Sequence, residues 1–252
     1  MAVEWWMYLV VCPLIFLAGF VDSIAGGGGV LSLPVYLLTG MPAQFAAASN
    51  KFSASSGTIV ASIKYFRSNK IDVAAALVSA AFAFPGSYLG ATIAMILSSN
   101  TLKIIMLVAV PLAALSVLFT KTKKKKHELS RVMIYILCAI IGLIIGIYDG
   151  LIGPGTGTFL ILAYTLIVGY DMTTSSGNAK IVNLSSNLAA LVAFSIKGYV
   201  IYSLAIPAAL CAIAGGYLGS HLAINKGSKI IRPLLYVVLA LIFIKLIFDL
   251  LF

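Results

Sequence analysis

Charged residues are scarce in this sequence, and acidic residues are the scarcest of them. Asp, Glu, Lys and Arg together make up 10% of the chain, with 7 acidic residues, against 62% hydrophobic residues and a mean hydropathy of +1.10. A soluble domain cannot bury so large an apolar fraction in its own core. The composition therefore excludes an ordinary soluble protein and predicts an all-α integral membrane protein that crosses the bilayer several times.

Histidine and cysteine are also few, which argues against metal, redox and catalytic chemistry. The chain has 2 His and 3 Cys. Cys12, Cys138 and Cys211 lie inside apolar runs, as small packing residues do, and neither His127 nor His221 has a partner at metal-ligand spacing. No Gly-x-Ser-x-Gly, His-Glu-x-x-His or Gly-x-x-x-x-Gly-Lys-Ser/Thr motif occurs. We therefore expect no enzyme activity, cofactor, metal site or ATP-driven pumping by this chain.

Basic residues give the chain a net charge of +10. In a membrane protein such an excess belongs to the cytoplasmic loops rather than to a nucleic-acid surface. We therefore expect lipid contacts, no nucleic-acid partner, a location in the cell (plasma or inner) membrane and both termini on the extracytoplasmic side. The basic residues predicted on the cytoplasmic side are Lys64, Arg67, Lys70, Lys121, Lys123 to Lys126, Arg131, Lys226, Lys229 and Arg232, and those on the other side are Lys103 and Lys197.

Two glycine-rich breaks interrupt the hydrophobic pattern, at residues 22–29 and 149–157. The first apolar segment, Trp5 to Val21, is predicted to end at Asp22. The segments that follow the breaks, 30–39 and 158–168, are too short to cross a hydrocarbon core of about 30 Å at about 1.5 Å per residue. We therefore predict a discontinuous half-helix after each break. Paired breaks of this kind are the best sequence indication of a transporter's binding site.

Matching features along the chain predict two related halves. Lys51 and Lys180 recur at the same offset as several glycine markers, while the Asp22 and Asp149 pair is two residues out of that register. About five hydrophobic segments in each half, an odd number, predict repeats of inverted topology. The predicted boundaries are 1–120 for the first transmembrane repeat, 121–130 for a basic cytoplasmic linker and 131–252 for the second repeat.

Two lysines are predicted to lie inside the membrane. Lys51 and Lys180 are each about 12 Å from a membrane face on helix geometry. Charges at this depth usually mark a substrate or ion path, although each lysine could instead snorkel to the nearer interface. The half-helices would direct their partly positive N-termini to the same region, which indicates an anion site. The predicted substrate-binding residues are Lys51, Lys180, Gly26, Gly27, Gly28, Gly29, Gly153, Gly155, Thr156, Gly157, Asn50, Asn178, Asn183, Asn187 and Ser55.

Two acids lie at the C-terminal ends of the segments that precede the breaks. The helix dipole disfavours a negative charge at this position, so we expect Asp22 and Asp149 to be protonated or paired with Lys51 or Lys180. Protonation would make them candidates to carry a coupling proton. The alternative is that both are interfacial acids at chain breaks that meet water.

The breaks and their surroundings resemble a known family. Gly-Phe-Val-Asp-Ser-Ile-Ala-Gly-Gly-Gly-Gly at 19–29, Pro34, Ala-Ala-Ala-Ser-Asn-Lys at 46–51 and the similar second-half stretch at 146–157 resemble the TauE/SafE (sulfite exporter, TSUP) family. The similarity covers almost the whole chain. It implies a multi-pass inner or plasma membrane protein of two related halves that moves sulfite, sulfonates or other sulfur-containing anions.

Together these features predict a secondary transporter that moves a small sulfur-containing anion by alternating access at a midplane site. The identity of the anion, such as sulfite, a sulfonate or thiosulfate, comes from the family resemblance alone. An anion channel with the same site, and a transporter of a different small oxyanion or organic acid, are the alternatives. The expected partners are the small anion and membrane lipids, and a homo-oligomer is possible.

Overall fold

The structure, a computed structural model, describes residues 3–97 (the first half) and 129–251 (the second half). These ranges form nine α-helices and contain no β-strand. Residues 101–119, which the hydropathy pattern predicts to be the fifth hydrophobic segment of the first half, and most of the predicted linker lie outside the described residues. The helices are α1 (Trp5–Ala25), α2 (Gly28–Leu37), α3 (Ala43–Arg67), α4 (Val73–Ile96), α5 (Arg131–Leu151), α6 (Thr156–Ala163), α7 (Met172–Ile196), α8 (Tyr202–Lys226) and α9 (Ser228–Leu251).

Five of the helices in these ranges are long and apolar enough to span a membrane, namely α1, α4, α5, α7 and α8. The two helices that follow the glycine breaks are much shorter, since α2 has 10 residues and α6 has 8. Helix α3 has 25 residues but carries a stripe of buried polar side chains, among them Ser49, Ser53 and Thr58. The fold is therefore that of an all-helical, multi-pass membrane protein.

The helices before the breaks are longer than the sequence predicted. Helix α1 continues through Asp22 to Ala25, so the prediction that it ends at Val21 is wrong. It ends where Gly26 adopts a left-handed φ of 75° and donates its N–H to the carbonyl of Asp22, as a glycine C-cap does. Asp149 likewise lies within α5, which ends at Leu151. Both acids are thus in the last helical turn rather than beyond it.

Helices α4 and α5 pack closely along a ridge of small residues. A Cβ atom at Gly150 would lie 2.0 Å from the carbonyl oxygen of Ser87, so only glycine permits this approach. Residues further along α4 contact residues further along α5, so the two helices run parallel. Small residues of this kind let helix backbones meet within a membrane. The contacts join Gly142 to Ser79, Gly146 to Ala83 and Gly150 to Ser87.

Helices α1 and α8 pack in the same parallel manner. Gly215 of α8 lies against the carbonyl oxygen of Phe16, and Gly219, one turn later, lies against that of Phe20. The two tight pairs, α1 with α8 and α4 with α5, each join a helix of one half to a helix of the other. The halves are therefore interlocked rather than placed side by side.

A polar cluster connects the halves where α4, α5 and α7 begin. Asp72 accepts hydrogen bonds from the Tyr170 hydroxyl and from Arg131, both at 2.7 Å. Its own N–H donates to Asn178 Oδ1 at 2.9 Å. Burial would raise the pKa of Asp72, but the hydrogen bonds from Tyr170 and the Ala75 amide, with the Arg131 charge, outweigh burial and lower it.

The α4–α5 contact can be tested with two identical substitutions on one helix. Ala83 is wholly buried against Gly146, whereas Ala81 is exposed on another face of α4. We expect Ala83→Leu to lower the free energy of unfolding by about 1–3 kcal/mol or more through overpacking, and Ala81→Leu to change it little. Unfolding in mixed detergent micelles measures both. Equal losses in the two variants would contradict the close packing.

Candidate functional site

The two glycine breaks touch each other. The Thr158 N–H donates to the carbonyl oxygen of Gly26 at 3.2 Å, and the Thr158 hydroxyl donates to the carbonyl oxygen of Ala25 at 2.8 Å. A Cβ atom at Gly26 would lie 2.1 Å from the carbonyl carbon of Gly157. Side chains at either position would therefore separate the breaks, and glycine is required by the close approach.

Each break is followed by a short helix whose N-terminus lies at the contact. Helix α2 begins at Gly28, and helix α6 begins at Thr156 after Gly155, which has a φ of 85°. Helix α6 passes directly into a π-helical turn, Tyr164–Val168. The first N–H groups of a helix have no partner within it and carry a partial positive charge. The contact of the breaks thus brings two such N-termini into one region.

The intramembrane lysines are paired with the acids across the halves. Lys51 of the first half lies 2.8 Å from Asp149 of the second, and Lys180 of the second half lies 3.0 Å from Asp22 of the first. The side chain of Lys51 is 8% exposed and that of Lys180 is wholly buried, so neither snorkels to solvent. If all four groups are ionised, the site has no net charge, which is the arrangement that makes buried charges tolerable.

Lys51 is held by three groups of the second half. Its ammonium donates to Asn187 Oδ1 at 2.8 Å and to the carbonyl oxygen of Asp149 at 3.1 Å. Asp149 Oδ2 is in ionic contact with it but is not aligned to accept a hydrogen bond. Asp149 Oδ1 accepts from the hydroxyl of Thr156, the first residue of α6, at 2.8 Å. The Asp149 side chain is only 2% exposed.

Asp22 makes a different set of contacts. Its Oδ1 accepts the N–H of Gly28, the first residue of α2, at 3.2 Å, while Oδ2 pairs with Lys180. Lys180 also donates to the carbonyl oxygen of Asp22. A Cβ atom at Gly28 would lie 2.5 Å from the Asp22 Cβ, so glycine lets the carboxylate reach the helix N-terminus. The Asp22 side chain is 18% exposed.

A cavity of about 50 Å³ lies at this junction. On the same measure one water needs about 10–15 Å³, so the cavity could hold a few waters or one small anion. Helices α1, α2, α3, α7 and α8 and both breaks contribute to its wall. The predicted site residues that line it are Asp22, Gly26, Gly28, Gly29, Asn50, Lys51, Asp149, Gly153, Thr156, Gly157, Asn183 and Asn187.

Five predicted residues lie outside the cavity wall. Lys180 donates to Asp22 Oδ2 but does not itself reach the cavity. Asn178 Oδ1 accepts the Asp72 N–H at the start of α4. Ser55 donates to the carbonyl oxygen of Lys51 within its own helix. Gly27 faces α9, where an added Cβ would lie 2.1 Å from a methyl group of Val238. Gly155 acts as the N-cap of α6.

Several wall residues were missed by the sequence prediction. Ser23, Ser32 and Ser53 line the cavity, as do the small residues Gly57 and Ala212. Serines inside apolar runs were a usable signal for the first three. Ala212 carries no such signal, because it reaches the site through the packing of α8 against Gly19 of α1 and Gly57 of α3.

One wall residue has an unsatisfied polar atom. Asn50 is 8% exposed, and its Oδ1 has no hydrogen-bond partner among the described residues. A buried acceptor without a donor costs free energy unless a ligand or water supplies one. The cavity wall therefore has an open position for a hydrogen-bond donor.

This combination of membrane-spanning helices and a buried, charged cavity between two interlocked halves defines the class of multi-pass membrane transporters. Comparison with known proteins gives the family. Residues 11–246 match the family described as "Sulfite exporter TauE/SafE", and the chain belongs to that family.

Its relatives carry the same general description. The chain is 33% identical to the "Probable membrane transporter protein YfcA" of Escherichia coli K12, over 92% of this chain and 87% of that protein. It is 32% identical to the "Probable membrane transporter protein ORF9" of Sinorhizobium sp, over 93% and 90%. A "Probable membrane transporter protein" of Haemophilus influenzae is 29% identical over 93% and 92%. No solved structure matches the chain.

The buried pairing predicts a strong coupling between Lys51 and Asp149. Removing either partner leaves a buried charge alone, so Lys51→Gln and Asp149→Asn should each lower the free energy of unfolding by about 3–5 kcal/mol. The double variant should lose much less than the sum of the two. Unfolding of all four proteins in mixed micelles gives the coupling energy.

The matched control is the Asp72–Arg131 pair, in which the arginine side chain is 70% exposed. The same cycle with Asp72→Asn and Arg131→Gln should give a coupling of about 0–1 kcal/mol. Additive losses at Lys51 and Asp149 would contradict the buried pair.

Proposed function

We propose that this protein is a secondary transporter of a small oxyanion or sulfonate that binds in the cavity at the two breaks. The observation that carries the proposal is the junction itself. An ammonium group and two helix N-termini meet at a partly open cavity, with polar groups in its wall, inside a bundle of membrane-spanning helices. The family's description, which names sulfite, makes a sulfur-containing anion the preferred substrate.

The size and polarity of the cavity favour a small substrate. A volume of about 50 Å³ suits an anion of a few heavy atoms rather than a long organic acid. Hydroxyl and amide side chains from Ser32, Ser53, Thr58, Asn183 and Asn187 line the wall. Such groups can replace the water that an oxyanion loses on entering.

We also propose that the halves are inverted repeats that alternate around the cavity. Equivalent contacts support this relation. Lys51 pairs with Asp149 as Lys180 pairs with Asp22. The Asp72 N–H binds Asn178 as the Ile201 N–H binds Ser49, at 2.9 and 3.1 Å. The tight α1–α8 and α4–α5 contacts correspond in the same way.

Small local insertions account for the register difference between the two acids. The stretch from Asp149 to the start of α6 is one residue longer than that from Asp22 to the start of α2. The π-helical turn Tyr164–Val168 takes up a second residue, since a π turn is one residue wider than an α turn. Helix α2 has no such turn. The offset between corresponding residues of the two proposed repeats changes by one at each of these two places and is constant elsewhere.

Because each lysine binds the acid of the opposite half, movement between the halves would change both ion pairs together. This linkage supports alternation rather than a fixed pore.

For orientation in the membrane, we place the start of α4, with Lys70 and Arg131 beside it, in the cytoplasm by the positive-inside rule. Both termini of a protein in the cell membrane then lie on the extracytoplasmic side.

The first experiment is a thermal-shift titration of purified protein with sulfite, thiosulfate, sulfate, taurine, sulfoacetate and chloride. Ligand at about 100 times its Kd should stabilise the folded state by about 2.7 kcal/mol. The Lys51→Gln/Asp149→Asn double variant removes the cavity ammonium without leaving an unpaired charge, and it should lose the shift. Lys64→Gln is the matched control, because Lys64 lies on the same helix but stacks on Tyr217 away from the cavity.

Selective stabilisation by one anion, lost in the double variant and kept in Lys64→Gln, is the expected result. Stabilisation that survives in the double variant would place the anion elsewhere.

An exchange assay in proteoliposomes separates a transporter from a channel. Unlabelled anion on the far side should speed the uptake of labelled anion, because the binding site of a transporter returns across the membrane faster when it is loaded. A channel would show no such exchange.

A further inference from the structure

The Asp22 carboxylate contacts both the N-terminus of α2 and the ammonium of Lys180. We propose that the Asp22 carboxylate is a built-in occupant of the anion site at the N-terminus of α2, and that it must take up a proton before the transported anion can bind. This inference rests on the proposed function and names its coupling ion and the residue that carries it.

The geometry puts a negative group where the anion is expected. The first N–H of α2 already donates to Asp22 Oδ1 at 3.2 Å, and the side chain packs directly against Gly28. A helix N-terminus that holds a carboxylate is not free to hold a second anion. The carboxylate thus competes with the substrate for the same donor.

Charge balance indicates that a proton is what releases the Asp22 carboxylate from the N-terminus of α2. The four buried groups are two ammonium groups and two carboxylates, so an added anion would leave a net negative charge in a low-dielectric cavity. A proton on Asp22 cancels the added charge of a monovalent anion and half of that of a divalent one. The total charge of the site then stays at zero when a monovalent anion binds, and anion and proton move together as a neutral pair.

Asp22 and Asp149 are not equivalent in this respect. Both acids line the cavity, but Asp22 is 18% exposed, whereas Asp149 is 2% exposed and binds the Thr156 hydroxyl rather than a helix N–H. The titratable groups near Asp22 are Lys180 of α7 and Tyr65 of α3, whose hydroxyl donates to the Ser23 carbonyl, with Lys51 and Asp149 on the cavity wall. Asp22 is therefore the more exposed of the two acids, and the one that occupies a helix N-terminus.

An independent observation supports a hydrogen-bearing occupant. Asn50 Oδ1 is an acceptor without a partner among the described residues, in the same cavity wall. An anion without hydrogen atoms cannot satisfy it. A proton that enters with the anion, or water bound beside the pair, supplies the missing donor.

The test measures the Kd of thiosulfate and methanesulfonate, whose charges do not change between about pH 5 and pH 8, as a function of pH. Uptake of one proton per anion predicts an affinity that falls about tenfold per pH unit in the range where the carboxylate must be protonated for the anion to bind. Asp22→Asn keeps the acceptor for the Gly28 N–H but cannot titrate. It should bind at every pH with the affinity that the native protein reaches in acid.

The controls assign the proton to one acid. Asp149→Asn should keep the slope, although its affinity changes, and Asp171→Asn, at the exposed start of α7, should keep both. If Asp22→Asn does not fold, Asp22→Asn/Lys180→Gln removes both charges of the pair and should also show no slope.

A slope that persists in Asp22→Asn would overturn the inference, as would a native affinity independent of pH. A slope lost only in Asp149→Asn would move the proton to that residue and equally overturn it. If the native protein binds neither anion at any pH, the proposed function fails first, so the two failures are distinguishable.

Discussion

The structure depends on the backbone contact between Gly26 and Gly157. No side chain fits there, since a Cβ atom on either glycine would lie within about 2.5 Å of the other chain segment. The contact holds the ends of α1 and α5 and the starts of α2 and α6 in one place. The cavity, the two helix N-termini and both lysine–aspartate pairs are arranged around it. A larger residue at either glycine would separate all of these parts.

The paired charges stabilise the junction and also make it sensitive to any ion that enters the cavity. A single buried charge is costly, and the cross-pairing of two lysines with two aspartates avoids that cost. The same pairing means that any ion entering the cavity must be balanced by another charge. Electrostatics therefore connects the proposed substrate, the proposed proton and the relative position of the halves. The polar cluster of Asp72, Arg131 and Tyr170 joins the halves again, away from the cavity.

The membrane class, the helical fold and the location of the breaks could be predicted from sequence, because hydropathy and glycine placement act locally. The intramembrane lysines and acids could be identified, but their partners could not. Cross-pairing depends on which helices meet, and Lys180 lies outside the cavity although its sequence context matches that of Lys51. The four additional residues of α1 were missed because an apolar pattern ends at a charge, whereas the helix ends where Gly26 turns left-handed.

The most direct measurement is an experimental structure of the protein with selenite or selenate, which are isosteric with sulfite and sulfate and give an anomalous selenium signal. We expect one selenium position in the cavity, with oxygen atoms about 3 Å from Lys51 Nζ or from the first N–H groups of α2. An empty cavity at a concentration that stabilises the protein, with selenium bound only at the exposed basic residues, would contradict it.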